Sequence, residues 1–437
     1  MERLQRLPWM AVTHRVERLP WRPMAAVWII WAVGTLGVAG TRFTGKTVPN
    51  LHVLQARALL SGRLDIARPD IEGLEHDNLE VVRAKGRYYA PFPIFPAALL
   101  VPLVALLGTT NLAAFILAFA LAALTIWLLY GLFLQLNLSP TQSSWLTLGF
   151  VAGTGYWLAL AWSDGVWFLS HIVAVAAILT SVRLALLGRW PFLAGIALGA
   201  AVLSRQMSIY SLPFILALFW THSRPRNRRQ ALRQVAALLV PVLAATVIYA
   251  FVSYLRFGSP LNDGYASLTA TNPGFQQGTD PLAMSFIERY REHGLFNISY
   301  VPFNAAYLFL QGPHLTFSGK SNLSFDGMDP FGTSLTFASP FLFAAFAARG
   351  HRRIIGGALV ALIVTISHQL LFYNNGWVQV NTQRFALDYL PIVIFLVALG
   401  IQRSGGRWWK FAIAYAVILN FLGIVALPAI QKLILYV

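Results

Sequence analysis

The chain has 437 residues, of which 57% are hydrophobic, 14% aromatic and only 11% charged, against roughly 25% charged residues in an ordinary soluble domain. That composition excludes a string of water-soluble domains and places the chain in a lipid bilayer. Thirty-three Lys and Arg against sixteen Asp and Glu leave a formal charge of +17, a nucleic-acid signal only if the basic residues share one solvated face; the absence of Cys removes disulfides, thiolate metal sites and Cys nucleophiles together.

Crossing a bilayer core of about 30 Å takes roughly 20 apolar residues in a helix. In chain order, nine runs qualify: residues 23–40, 111–134, 143–161, 166–187, 235–255, 331–347, 354–373, 385–401 and 408–427. No small-residue cleavage site follows the first, so it reads as a signal anchor. Two further segments are ambiguous. Residues 91–108 contain Pro91, Pro93, Pro96 and Pro102, and residues 191–220 are too long for one upright span.

Charge in the short loops decides between topologies, because Lys- and Arg-rich short loops stay cytoplasmic. The strongest such loop holds Arg224, Arg226, Arg228, Arg229 and Arg233. The N-terminal arginines, the turn Arg349, Arg352 and Arg353, and the turn Arg403, Arg407 and Lys410 join it on one side under two conditions: 191–220 forms two short spans broken around Arg205, and 91–108 lies in the interface as a hairpin. The rival topology has 91–108 crossing and 191–220 as one tilted helix. It puts Arg205 at the bilayer centre, at a cost of about 2.5–3.5 kcal/mol, and leaves Arg183 and Arg189 at an outside turn. The expectation is therefore an all-α integral membrane protein of about eleven transmembrane helices forming a single domain over 1–437. Its N-terminus is cytoplasmic and its C-terminus outside, with two long outer loops, 41–90 and 256–330, carrying interfacial helices. Those loops hold twelve acidic and twelve basic residues, and the inside segments carry +16 of the +17. The charge surplus is thus a topology signal, and no nucleic-acid partner is expected.

In the first outer loop, Leu51, Leu54, Ala58 and Leu59 recur at helical spacing, predicting an amphipathic helix on the membrane that ends at Gly62. A charged stretch from Asp65 to Arg87 follows and closes on YYAPFPIFPAALL, whose aromatic residues suit the headgroup region. The loop reads either as a lid that brings an acid or base to a membrane-face site or as a solvated connection. Arg205, in LGAAVLSRQMSIY, is an intramembrane charge and so a functional candidate. Its natural partners are a phosphate or a carboxylate such as Asp164; the bland alternative is snorkelling to headgroups. Arg384 and Asp388, four residues apart in NTQRFALDYLP, share a helix face, either as a mutual ion pair that eases burial or as a guanidinium oriented for a lipid phosphate. His171, in WFLSHIVA, more often signals hydrogen-bonded packing than ligation. FIERYREHG predicts a solvated or interfacial helix in the second outer loop. No HExxH, Walker loop, dinucleotide fingerprint or nucleophile elbow is present.

Taken in order, the first-loop GRLDI, then GRYYAPFPIFPAALL, FLSHIVA, LAGIALGAAVLSRQ, RFGSPLNDGY, GLFNISYVPFNAAYLFL and GWVQVNTQRFALDYLP make a series that resembles the polytopic GT-C glycosyltransferases. The similarity is to the branch related to protein O-mannosyltransferases and the RgtA/B/C/D-like enzymes, and it extends over about residues 41–391. The resemblance implies transfer of a sugar from a polyprenyl-phosphate donor to an acceptor hydroxyl at the outer face of the cell membrane, usually with inversion. The acceptor would be a glycan, lipid or protein. The family's chemistry needs a carboxylate base in the first outer loop and Arg or Lys on the departing phosphate. By motif position Arg205 and Arg384 are the phosphate-facing residues, with Asp388, Asp164 and His171 supporting them. Where family members place Asp or Glu just after the first span, this chain reads GKTVPNLHV, with Asn50 and His52. The base is then Asp77, Asp65 or His52, Asp77 being favoured because it precedes the interfacial hairpin. No cofactor is implied; a divalent metal is compatible with the chemistry, but nothing in the sequence indicates one. A transporter or flippase of a lipid-linked or small solute and a non-catalytic relative are the alternatives. The site account requires Arg205, Arg384 and a first-loop carboxylate to converge within about 15 Å, the reach of one sugar phosphate held by Arg.

Overall fold

A computed structural model describes residues 21–44, 49–72, 80–223, 225, 227–265, 267, 281–318, 320–321, 324–329, 331–375, 384–402 and 406–429. The described chain is overwhelmingly helical, with two small antiparallel hairpins. Among the described residues, five helices are long and apolar enough to cross a membrane: α4 (Asn111–Gln135), α7 (Val166–Leu187), α10 (Arg228–Phe257), α14 (Arg352–Leu371) and α16 (Trp408–Phe421) with its continuation to Ala429. The outward faces of these helices and of α1 (Trp21–Thr44) are rows of exposed aliphatic and aromatic side chains. Ile29, Ile30 and Val33 on α1, Val240, Leu243 and Val247 on α10, Ile363 on α14, and Phe411 and Ile418 on α16 are all exposed. Apolar surface on this scale is tolerated only against lipid.

The helix ends show how the bundle is threaded. The backbone N–H of Asn50 donates to Asn111 Oδ1 at 2.7 Å, and Arg42 Nε donates to Asp164 at 2.8 and 3.0 Å. The C-terminal end of α1, the start of α2 (Leu51–Leu60) and the first residues of α4 and α7 therefore share one end of the bundle, termed here the site end. α7 stops at Gly188, whose φ of +63° suits glycine and whose added Cβ would lie 2.7 Å from the His222 carbonyl. His222 ends α9 (Leu212–Ser223), so α8 (Pro191–Val202) leaves the far end and α9 returns to it. The two are twelve-residue helices of about 18 Å, meeting at Arg205 and the 3₁₀ turn Gln206–Ser211. This is the expected break of 191–220, and it puts Arg205 at the site end. The far end carries Arg189, Arg228, Arg229, Arg233, Arg349, Arg352, Arg353, Arg407 and Lys410, whereas Glu80, Asp164 and Asp388 lie at the site end.

Several expected elements differ from those observed. Residues 143–161 are not one span: α5 (Pro140–Ala152), started by a Ser139–Gln142 capping box, gives way at Gly153–Gly155 to the short α6 (Tyr156–Ala161). Residues 331–347 are a four-residue helix, Leu335–Ala338, and a 3₁₀ stretch, Pro340–Ala347. Pro340 has no N–H to continue the first helix, and Ser339 Oγ instead donates to the Gly153 carbonyl at 2.6 Å. Residues 91–108 form a thirteen-residue helix, α3 (Phe95–Leu107), which at about 20 Å is too short to cross upright. The hairpin lies just before it, where β1 (Val82–Ala84) pairs β2 (Arg87–Tyr89) around Lys85 and Gly86, both with positive φ. In the second long loop, α11 (Pro281–His293) covers the expected solvated or interfacial helix, and β3 (Leu315–Ser318) with β4 (Ser324–Met328) adds an unexpected hairpin.

One continuous apolar core joins the helices, and a smaller cluster sits under the first long loop. There Leu51, Leu54, Ile66, Ile71, Ala90, Phe92 and Val166 pack together, with Trp167 and Tyr265 against them. This cluster holds the first loop down on the start of α7.

Candidate active site

Four helix breaks meet at the site end: the start of α7, the Arg205 turn, the end of α14, and the 3₁₀ segment Arg384–Asp388 that precedes α15 (Leu390–Ile401). Asp388, 2% exposed, accepts from Arg205 Nε at 2.6 Å and Nη2 at 2.9 Å. His171 Nδ1 lies 3.5 Å from the same carboxylate. The two-point contact fixes the plane of the Arg205 guanidinium and leaves Nη1 for another anion.

Arg384 is 3% exposed, and its guanidinium sits in an aromatic box, 4.9 Å from the Trp167 ring centroid, 5.1 Å from Phe168 and 5.6 Å from Phe385. Arg205 lies on the same Phe385 ring at 5.5 Å. With both guanidinium carbons 5.5 and 5.6 Å from one centroid, they are no more than about 11 Å apart, inside the reach required of one phosphate-bearing ligand.

The first-loop carboxylate that joins them is Glu80. It is 8% exposed, its Oε2 has no hydrogen-bond partner among the described residues, the Trp167 indole hydrogen-bonds to it, and Arg384 is the cation that acts on it. Burial pushes its carboxyl up to about 8, with Arg384 and Trp167 opposing that rise. From the second long loop, Tyr265 senses both Glu80 and Arg205, and burial holds its phenol well above the usual range. Tyr373, just past α14, senses Glu80 as well.

The other sequence candidates lie elsewhere. Asp77 falls outside the described residues. Asp65 is ion-paired with Arg63 and, at 3.5 Å, with Arg87; the Arg63 hydrogen bond holds its carboxyl below the usual range. His52 is fully buried, with Nδ1 2.7 Å from Gln55 Oε1 and Nε2 2.8 Å from Ser170 Oγ; burial lowers it to about 4, so it is neutral and both ring nitrogens are engaged. Asn50 is the N-cap of α2, and its amide donates to the Ser163 carbonyl at 3.0 Å. Asp164 is not the partner of Arg205: it is held by Arg42, whose guanidinium stacks 4.4 Å from the Trp162 ring.

The mutual pairing of Arg384 with Asp388, one of the two readings of their spacing, gives way to the Arg205 contact for a geometric reason. Residues 384–388 are 3₁₀, with three residues per turn, so position i+4 is rotated by a third of a turn from i instead of lying above it. Sequence reading passed over Glu80, Trp167, Tyr265, Tyr373 and Arg42. The one local signal at Glu80 is its setting between Leu79 and Val81, and Asp65, between Leu64 and Ile66, shares it.

No family model matches the chain, and no curated protein matches it. Among solved structures it is similar to ArnT from Cupriavidus metallidurans bound to undecaprenyl phosphate, with a TM-score of 0.48 and 15% identity over 91% of this chain and 63% of that one. It is likewise similar to the apo form of the same protein, with a TM-score of 0.45 and 15% identity over 89% and 62%. The chain spans somewhat less than two thirds of the length of ArnT.

Proposed function

We propose that the protein is a GT-C-type membrane glycosyltransferase that moves a sugar from a polyprenyl-phosphate donor to an acceptor hydroxyl. The observation that carries this reading is the meeting of Arg205, Arg384 and the buried Glu80 at a site walled by aromatic rings. Two guanidiniums with one committed carboxylate between them make a site for a dianionic or monoanionic phosphate. The rings around Arg384 suit a sugar or isoprenoid face.

In the reaction, Arg384 and Arg205 Nη1 bind the donor phosphate. The acceptor oxygen attacks the anomeric carbon from the opposite side as the carbon–phosphate-oxygen bond breaks, inverting that centre. Glu80, as carboxylate, takes the hydroxyl proton, and the two arginines stabilise the charge that develops on the leaving phosphate. A carboxyl near 8 is matched to base catalysis close to neutral pH. Glu80 is favoured over Asp65 and His52 because their polar atoms already have partners. The basic residues gathered at the far end support a plasma-membrane protein with its N-terminus cytoplasmic, its C-terminus outside and its site on the outer face.

The broken pair α8–α9, meeting at a partly buried Arg, also fits a transporter of a lipid-linked solute. The deciding test is release of polyprenyl phosphate from a sugar-loaded donor by purified protein in lipid. Loss of release in Arg384→Ala and Glu80→Gln supports transfer; full activity in both variants rejects the site.

A further inference from the structure

The hairpin that follows Glu80 has a second polar face. Arg63, Arg68, Arg83 and Arg87, with Asp65, Ile66, Gly86 and Tyr88, line an open groove of about 540 Å³, within the size range of ligand clefts. All four arginines are exposed, and their one carboxylate, Asp65, pairs with Arg63 and Arg87. Among the described residues no carboxylate lies within ion-pair distance of Arg68 or Arg83. The groove thus presents four guanidiniums against one acid. Acids and bases are equal in number over the two long loops taken together, so that excess is local to this wall.

The hairpin register connects the groove to the proposed active site. Val82 pairs Tyr89 and both are buried, whereas Arg83 pairs Tyr88 and faces the groove. Arg83 follows Glu80 by three residues, so their Cα atoms lie within roughly 10 Å of each other, the length of a disaccharide. The Ile66–Tyr88 bridge, with the Ile66 N–H donating to the Tyr88 carbonyl at 2.8 Å, ties the groove floor to the same strand.

We propose that this groove binds the anionic part of the acceptor, an oligosaccharide headgroup bearing carboxylate or phosphate, and so presents a hydroxyl about one disaccharide away to Glu80. The inference rests on the transferase reading for its purpose, but binding in the groove does not require turnover. Forked guanidiniums on a rigid hairpin suit such groups, and Tyr88 offers a ring for a sugar face.

The test uses the full chain in phosphatidylcholine nanodiscs, titrated with trigalacturonate and, as the neutral control, maltotriose. Trigalacturonate is expected to bind, to weaken as salt rises, and to bind about tenfold more weakly to the double variant Arg83→Glu/Arg87→Glu; maltotriose is expected not to bind at the groove. Arg68→Ala, a milder exposed change, is expected to weaken binding severalfold and serves if the double variant fails to fold. Glu80→Gln is expected to keep trigalacturonate binding while losing transfer, which separates failure of the groove from failure of the transferase reading. Unchanged trigalacturonate affinity in the arginine variants overturns the proposal. So does a defect confined to binding of vesicles that contain phosphatidylglycerol, since that result makes the groove a lipid contact.

Discussion

Replacement of Asp388 by Asn probes the site through its most constrained contact. Asp388 holds Arg205 through two charge-assisted hydrogen bonds at 2.6 and 2.9 Å and stands 3.5 Å from His171, with essentially no exposure. Removing one partner of a buried ion pair costs about 3–5 kcal/mol. Asn retains one oxygen that can accept from Nε or Nη2, so about 2–3 kcal/mol of the interaction is lost. If Arg205 stabilises the departing phosphate, the same loss appears in the transition state as a fall in kcat/KM of about 30- to 160-fold. The assay is initial-rate release of polyprenyl phosphate in nanodiscs, with thermal unfolding recorded in parallel. Asp388→Glu, which keeps the charge, should recover part of the loss. An Asp388→Asn protein with unchanged kcat/KM and unchanged melting refutes the claim that this pair positions Arg205 for chemistry.

Four further outcomes follow from the same geometry. With Glu80 as base, kcat/KM rises with pH and levels off above about 8, because the carboxyl must be deprotonated to accept the proton; a profile flat from pH 6 to 9 contradicts this assignment. Asp77→Asn retains most activity while Glu80→Gln abolishes it, and the opposite pair of results transfers the base role to Asp77. His52→Ala lowers the melting temperature through loss of its Gln55 and Ser170 contacts and leaves the pH profile in place; a moved profile would make His52 a proton carrier. Gly400→Ala reduces folded yield sharply, because its Cβ would stand 1.9 Å from the Ala344 carbonyl oxygen and force α15 away from the Pro340–Ala347 stretch; wild-type yield and melting would show that the two segments do not pack this closely.

Particular residues show what the sequence makes legible. The break at Arg205 was readable because a charge inside an apolar run demands a protein-walled partner. The basic turns were readable because short-loop arginines report side, and Arg228, Arg229, Arg233, Arg352 and Arg353 do gather at one end. The identity of Arg205's partner was not readable. Asp388 lies 183 positions away, and no local rule chooses it over Asp164 until the 3₁₀ twist at 384–388 turns it from Arg384. Glu80 was hidden for another reason. Six acids in the first loop look alike in sequence, and only the packing of Trp167 and Tyr265 onto the loop leaves this one buried beside Arg384. The broken spans at Gly153 and Pro340 were obscured because apolar composition alone does not show where a backbone hydrogen bond is lost.

The central claim is covalent transfer at the Arg205–Arg384–Glu80 site. Its most direct test is to reconstitute the wild-type chain in lipid vesicles with a labelled polyprenyl-phosphate sugar and follow the label by mass. The account predicts free polyprenyl phosphate and labelled acceptor, both lost in Arg384→Ala. Movement of intact donor across the bilayer without cleavage of the sugar–phosphate bond would contradict it.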